Sequence, residues 1–399
     1  MSNKVLVINA GSSSIKLQLL DKEKLNVIAS GLAERIGEGG NGNIAIKFNG
    51  QKFERSVKLE DHAKAVEHIL EIFEENKIIS DPKEIELIGF RVVQGGEYFN
   101  SSVKLGEKEI ELIDEVKMYA PLHNPGALQA IRAFKKVMPH AKLSADFDTA
   151  FHTSIPALYS TYPIPYEISE KLKIKRYGAH GISHEYITLK VQELLNKDKV
   201  NIINLHIGNG ASLCAIKDSK SIDTTMGLTP LAGIMMGSRS GDIDPSIHQF
   251  VMKNMNLSID EFTDILNKKS GMLGVSGISN DLRDILVAME KKDQRAQFAF
   301  DLYCQKIVDF VANYANKLEN KIDALVFTAG VGENTPELRE QVINSLHFAN
   351  IKLDKEKNFG KIGEYELIST PDSDVKVYVI RTNEELLIAK HAIEFIINK

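Results

Sequence analysis

Cysteine is scarce in this chain of 399 residues, where Cys214 and Cys304 are the only two. A disulfide framework and a zinc ribbon both need more than that, and a chain of this length buries cores large enough to need neither. An excess of charge of one sign is missing too. The 49 Lys and Arg against 54 Asp and Glu leave a net charge of −5, which argues against nucleic acid and against an anionic membrane surface as partners. No apolar run approaches the roughly 18 residues of a membrane span, and the apolar stretch after Lys4 is too short for the core of a signal peptide. The expected compartment is therefore the cytoplasm. Low-complexity segments and long Pro/Ser-rich linkers are absent as well. At roughly 150 residues per domain, two or three domains are expected, joined by short crossings rather than tethers.

What is present is a repeated plan. Residues 4–9 read as a strand, followed by the polar turn Ala10-Gly11-Ser12-Ser13-Ser14 and a second strand over 15–20. A third strand is expected around 27–31. A hairpin is expected at 44–48 and 51–57, because Asn49-Gly50 supplies the two positive-φ positions of a type I′ turn. Apolar residues at helical spacing (Ala65, Ile69, Leu70, Ile72, Phe73) predict a helix over 61–76. Strands follow at 86–93 and 142–148, with a helix at 125–137 between them. The second half restarts with a strand at 200–207, the turn Gly208-Asn209-Gly210-Ala211-Ser212 and a strand at 213–218. Later the apolar strand 324–328 ends in Ala329-Gly330-Val331-Gly332-Glu333. Hairpins followed by alternating helices and strands, twice over, predict two related α/β domains with a ligand cleft between them.

The two glycine turns suit a phosphate. Glycine lets the backbone approach a ligand and aim several N–H groups at it; Ser12, Ser13 and Ser14 add hydroxyls, and Lys16 adds a charge. An ordinary hairpin turn explains either motif alone, whereas two of them half a chain apart favour a phosphate clamp. Neither GxxxxGK[ST] nor a strand-to-helix GxGxxG occurs. At Gly330-Val331-Gly332 a Gly-x-Gly bend is expected to precede a helix, with Asn334 or Thr335 as N-cap and Pro336 at the first position. Such a helix start holds phosphates or nucleosides, and simple strand–helix packing is the competing reading.

Single residues stand out. Arg91 ends an apolar strand, and Arg239 sits among small residues in Gly237-Ser238-Arg239-Ser240-Gly241. An arginine so placed pairs with an anion, either a substrate or an internal carboxylate such as Asp242 or Asp244. Asp148 follows an apolar strand and reads either as a catalytic carboxylate or as a helix cap. His180, in Gly178-Ala179-His180-Gly181, is expected to be accessible. His184 follows four residues later, but the flanking glycines argue against a helix there, and no Glu or Cys completes a zinc set. His123 reads as structural. Glu384 opens the last helix, either serving the helix dipole or holding, through water, Mg²⁺ on nucleotide phosphates.

These segments resemble the acetate kinases, a family of the acetate and sugar kinase/actin superfamily. The resemblance runs through 7–16 (VINAGSSSIK), 147–152 (FDTAFH), 206–212 (HIGNGAS), 226–245 (MGLTPLAGIMMGSRSGDIDP), 271–284 (GMLGVSGISNDLRD), 327–334 and 382–386. It implies phosphoryl transfer between ATP and acetate with Mg²⁺ (or Mn²⁺), acetyl phosphate and ADP as products, and a homodimer. The implied fold is two ribonuclease-H-like α/β domains, an actin-like ATPase duplication around a central cleft. The first domain would be 1–149, completed by a C-terminal helix at 384–399, and the nucleotide-binding domain 150–383. By matched position, Asn9 and Glu384 look like the metal-site residues. Lys16, His206, Ile207, Gly208, Asn209, Gly210, Asp281, Leu282, Arg283, Ala329, Gly330, Val331, Gly332 and Glu333 look like the nucleotide site. Arg91 resembles the substrate-binding arginine and Asp148 the catalytic aspartate, and His180 and Arg239 the transition-state stabilisers. The acyl methyl group would rest on Val93 (or Val92), Leu122 and Pro230. Phe90, Gln94, Ala179 and Ala232 depart from the family pattern; Ala179 replaces a Phe that helps form the acyl pocket and so opens the acyl size limit. A propionate or butyrate kinase is the near alternative. A non-catalytic actin-like ATPase would not need paired arginines, and a sugar kinase would need a base and more polar groups than this apolar pocket supplies.

Overall fold

The structure, a computed structural model, describes residues 3–121 and 123–397, the last two of them through their backbone alone. Chain packing divides it into two units, Met1–Phe151 with Asn383–Lys399, and His152–Thr382.

In the first unit, β1 (Lys4–Ala10) is apolar on both faces because it is the central strand, with Val5, Leu6, Val7 and Ile8 at most 1% exposed. It pairs antiparallel with β2 (Ser14–Asp21), which continues through β3 (Val27–Glu34) and β4 (Asn41–Phe48) to β5 (Gln51–Lys58). Asn49 and Gly50 turn β4 into β5 with φ of 47° and 76°, the two left-handed positions that a type I′ hairpin needs. On its other side β1 runs parallel to β6 (Ile85–Val92); β7 (Val103–Lys104) and β8 (Lys142–Phe147) complete the order β5-β4-β3-β2-β1-β6-β8-β7. The helix His62–Glu75 is capped by Asp61 and buries Ala65, Val66, Ile69 and Phe73. The helix Asn124–Val137 meets the β1–β2 turn backbone to backbone: a Cβ on Gly126 would lie 2.2 Å from the carbonyl carbon of Gly11, so only glycine fits there. The C-terminal helix Glu384–Ile397 returns to cover β6, with Ile388 against Gly89.

The second unit contains β9 (Ile202–Ile207), β10 (Ala211–Lys217), β11 (Lys220–Thr224), β12 (Ala324–Thr328), β13 (Tyr365–Leu367) and β14 (Lys376–Ile380), in the order β11-β10-β9-β12-β14-β13. The helix Gln294–Lys317 lays a stripe of Ala296, Phe300, Tyr303, Ile307, Val311 and Tyr314 into its core, the i, i+3, i+4 pattern of a buried helix face. Both cysteines are buried and free.

The two sheets share five strands in the same order and sense. In each, two antiparallel steps (β3-β2-β1 and β11-β10-β9) lead into two parallel ones (β1-β6-β8 and β9-β12-β14). This is the ribonuclease-H-like plan used twice, the duplicated actin-like α/β fold expected from the sequence. Two local expectations fail. The helix Gly181–Leu195 starts immediately after His180 and contains His184, so the glycines open that helix instead of preventing it; His180 takes the left-handed conformation, φ 56°, that leads into it. Residues Ala329–Asn334 are themselves a short helix, so Gly330-Val331-Gly332 is helical rather than a bend, and Thr335 then precedes a second helix with Pro336 at its start. No helix among the described residues is long and apolar enough to cross a membrane.

Candidate functional site

In the first unit, strand ends and one helix start bring three charged groups together. Arg91, near the end of β6, donates from Nε to Asp148 Oδ1 (3.0 Å) and from Nη2 to Asp148 Oδ2 (2.8 Å). Its Nη1 lies 3.4 Å from Oε2 of Glu384, the first residue of the C-terminal helix. Asp148 is 1% exposed. Both of its carboxylate oxygens are engaged by Arg91. The guanidinium is held protonated against burial by Asp148 and Glu384. Burial raises the Glu384 carboxyl above its ordinary pKa, and Arg91 opposes the rise. Two carboxylates thus share one guanidinium, a surplus negative charge that a divalent cation would balance. Asn9, on β1, stands opposite Lys16 of β2 and carries an amide oxygen, which like the carboxylates is a hard donor of the kind that suits Mg²⁺. Among the described residues no three His, Cys, Asp or Glu side chains converge as a ready-made metal centre. Lys16 ion-pairs with Glu385. Val93, just beyond β6, is half-buried, and Leu122 lies outside the described residues.

The second unit holds a cavity of about 490 Å³, within the range of small-molecule sites. Of the residues expected at the nucleotide, Gly208, Asn209, Asp281, Leu282, Arg283, Gly330 and Val331 line it. Lys16, His206, Ile207, Gly210, Ala329, Gly332 and Glu333 are not part of its lining. Glu333 has a structural task instead: its Oε1 accepts from the backbone N–H groups of Ala329 (2.8 Å) and Thr382 (3.1 Å). Asp281 caps the helix Leu282–Glu290, and its hydrogen bonds from Arg283 hold its carboxyl at about 2. Gly237, Met272, Asn280, Tyr303, Asn334 and Thr335 complete the wall. Gly237 and Asn280 lie within segments already singled out; Tyr303, on a long core helix, carries no sequence signal.

Arg239 lies beside the β9–β10 turn: a Cβ on Gly210 would be 3.3 Å from its Nη1. Nη1 donates to the Pro230 carbonyl at 3.1 Å, and Arg239 makes no ion pair among the described residues. The internal partners considered for it are engaged elsewhere, Asp242 with the N–H of Gly233 and Asp244 with that of Ser246. Burial lowers the Arg239 pKa, the signature of a desolvated cation without a counter-charge. His180 stacks on His206 with ring centroids 4.1 Å apart, and its Nδ1 is 2.9 Å from Ser212 Oγ. Sequence reasoning missed the Ser212, His184 and Asn204 contacts behind it. It also missed a cluster in the first unit, where buried Asp146 meets Ser102 Oγ and His391 Nδ1.

Comparison with known proteins accounts for these features together. A sequence model of the acetokinase family matches residues 4–390. The acetate kinase of Mycoplasmopsis pulmonis is 58% identical over 389 residues, 98% of each chain. Among solved structures, the acetate kinase of Porphyromonas gingivalis superposes with a TM-score of 0.94 at 40% identity, covering 98% of this chain and 99% of that one. A propionate kinase from Francisella tularensis gives 0.92 at 39%, with the same coverage. The duplicated sheet, the cavity and the uncompensated arginine thus belong to a chain that matches one family over residues 4–390, and this chain is a member of the acetokinase family, kinases that transfer phosphate to a carboxylate.

Proposed function

We propose that this chain is an acetate kinase that moves the terminal phosphoryl group of ATP to acetate, reversibly, giving acetyl phosphate and ADP. The observation that carries the reading is Arg239, a desolvated guanidinium with no carboxylate partner among the described residues, beside the turn whose Gly208 and Asn209 line the cavity. Such a group is built to meet an anion that arrives with the substrate.

Acetate, with a pKa near that of a Glu side chain at roughly 4.3, is already ionised at neutral pH. No base is needed to activate it; the barrier is alignment and the repulsion of two anions. Arg91 binds the acetate carboxylate, and Asp148 orients the guanidinium through its two hydrogen bonds rather than acting as a base. Arg239 and His180 take up charge on the equatorial phosphoryl oxygens. Val93 and Pro230 contact the methyl group. The cavity holds the nucleoside and its phosphates, with backbone N–H groups of the Gly208–Gly210 turn and Gly330 near them. The divalent ion that the family implies is Mg²⁺ in this reading, with Mn²⁺ as a substitute. Asn9 and Glu384 would hold it, and it would supply charge neutralisation on the phosphates. The protein works as a cytoplasmic homodimer.

The test is hydroxamate trapping of the acyl phosphate formed from ATP, Mg²⁺ and a series of short carboxylates. Acetyl hydroxamate is expected with acetate. ATP hydrolysis with no trapped product from any carboxylate would support a non-catalytic actin-like ATPase instead. A second reading, propionate kinase, is favoured by the similarity to the Francisella enzyme and is read out in the same series.

A further inference from the structure

A chain of four side chains in the second unit ends on His180. Asn204 Nδ2 lies 2.8 Å from His184 Nδ1, His184 Nε2 lies 2.9 Å from Ser212 Oγ, and Ser212 Oγ lies 2.9 Å from His180 Nδ1. Asn204 stands on β9, Ser212 on β10, and the two histidines sit one helical turn apart at the start of Gly181–Leu195. Asn204, His184 and Ser212 are all fully buried, so no water competes for these bonds.

The chemistry of the groups gives the chain a direction. An amide nitrogen donates and cannot accept, so His184 Nδ1 must be bare and its proton sits on Nε2. That N–H donates to Ser212 Oγ, which leaves the serine proton for His180 Nδ1. Neutral His180 then carries its own proton on Nε2. Asn204 Oδ1 is buried and has no hydrogen-bond partner among the described residues. The amide lies with Nδ2 against His184 Nδ1; turned over, its oxygen would meet His184 and both N–H groups would lack a partner. Burial keeps His184 neutral, and the rings of His152 and His206, with centroids 5.5 Å and 6.2 Å away, push the same way. A proton added to His180 Nδ1 would face the Ser212 hydroxyl with a second donor and leave the serine proton without its acceptor.

We propose that Asn204, His184 and Ser212 are positioning residues that fix His180 as its Nε2–H tautomer, so that it offers the phosphoryl oxygens one oriented hydrogen bond. The proposal rests on the reading of His180 as a group at the transferring phosphoryl.

The test is long-range ¹H–¹⁵N spectroscopy of ¹⁵N-histidine-labelled protein, with His180→Gln and His184→Gln used for assignment, alongside steady-state kinetics. In the wild type both rings are expected to carry the proton on Nε2, and His184 is expected not to titrate between about pH 5 and 8. Ser212→Ala should give His180 a mixture of tautomers and a pH profile of kcat displaced from wild type. It should lower kcat about tenfold with little change in KM for ATP or acetate. Asn204→Asp places an acceptor on His184 Nδ1 and should reverse the chain, moving the His180 proton to Nδ1. A His180 proton on Nδ1 in the wild type overturns the proposal, as does a Ser212→Ala protein with unchanged tautomer and kcat. Unchanged turnover in His180→Gln would instead remove the catalytic reading of His180; the tautomer spectra report on the relay independently of it.

Discussion

Arg91 and Asp148 form a two-point ion pair, Nε to Oδ1 at 3.0 Å and Nη2 to Oδ2 at 2.8 Å, with the carboxylate 1% exposed. The parallel N–H donors of a guanidinium match a carboxylate edge, so the pair fixes the plane of Arg91 as well as its position. Arg91→Ala would leave the Asp148 and Glu384 carboxylates buried without their cation. A loss of about 3–5 kcal/mol of stability is expected, the usual consequence of orphaning a buried charge. Urea denaturation measures it. The double variant Arg91→Ala/Asp148→Ala should regain part of the loss, and a double variant as unstable as the single one would contradict the pairing argument.

Arg239 should behave in the opposite way. It supports no carboxylate, so Arg239→Ala is expected to fold with a melting temperature close to wild type. If it meets charge that develops in transfer, its loss should cost about 3–4 kcal/mol of transition-state stabilisation, two to three decades in kcat. Near-normal turnover would remove Arg239 from the proposed machinery.

The contrast between the two arginines shows where the sequence was legible. Both were visible as charges in apolar or small-residue surroundings, but only three-dimensional pairing separates the one that is internally neutralised from the one that is not. Local signals carried well where one residue type dictates the backbone. Asn49-Gly50 forced the β4–β5 turn, Asp61 capped its helix, and the apolar run 324–328 became the buried strand β12. They misled where a glycine had two uses. Gly181 opens a helix because His180 absorbs the left-handed φ before it, and Gly330 and Gly332 sit inside a helical turn. Asn204 had no signal, and Ser212 was read as part of a glycine turn although it lies in the buried strand β10, since a polar residue within a buried strand declares its purpose only through the side chain it meets.

Glu384 is expected to act through the divalent ion. Glu384→Ala should raise the Mg²⁺ concentration needed for half-maximal rate by about tenfold or more, while changing the acetate requirement less. The measurement is rate against free Mg²⁺ at saturating ATP. A variant that only melts earlier, with its metal dependence unchanged, would mean that Glu384 serves the dipole of the C-terminal helix.

Stability should fall in mild acid. Burial lowers the pKa of His62 in the first unit and of His184 in the second, whereas in the unfolded chain both titrate near 6.5. Below that value the unfolded chain binds protons that the folded one refuses, so stability decreases as pH falls. The slope is at most about 1.4 kcal/mol per pH unit for each histidine. Asp146 and Glu384, raised by burial, have the opposite sign, since folded carboxyls that protonate early gain stability as pH drops. Urea midpoints should therefore decline from about pH 7.5 to about pH 5.5, and a midpoint that rises over this window would contradict the neutral burial of the two histidines.

Ala179 stands where a larger residue was expected, and the structure changes what that means. Its side chain is 2% exposed and belongs to the apolar core of the second unit, and its carbonyl oxygen lies 2.9 Å from His152 Nε2. Gly178 before it is equally confined, because a Cβ there would fall 2.6 Å from His152 Cδ2 and from Thr224 Cγ2. The one methyl of Ala179 is packed in the core of the second unit, and the volume freed by the small residue is expected to be filled by its neighbours there. The acyl limit then depends on ordinary apolar contact, where one methylene contributes about 0.8 kcal/mol, roughly fourfold, and pockets discriminate by 1–3 kcal/mol at best, about 10–200-fold. Overall shape does not decide the matter either, since an acetate kinase and a propionate kinase superpose on this chain almost equally well. The wild type is therefore expected to use propionate with a kcat/KM within about tenfold of that for acetate. Ala179→Phe is expected to overpack the core and cost about 1–3 kcal/mol, read as a lower melting temperature, with the acetate-to-propionate ratio little changed. An unchanged melting temperature together with a sharp loss of propionate activity would show that the ring finds open space, and that this space borders the acyl chain.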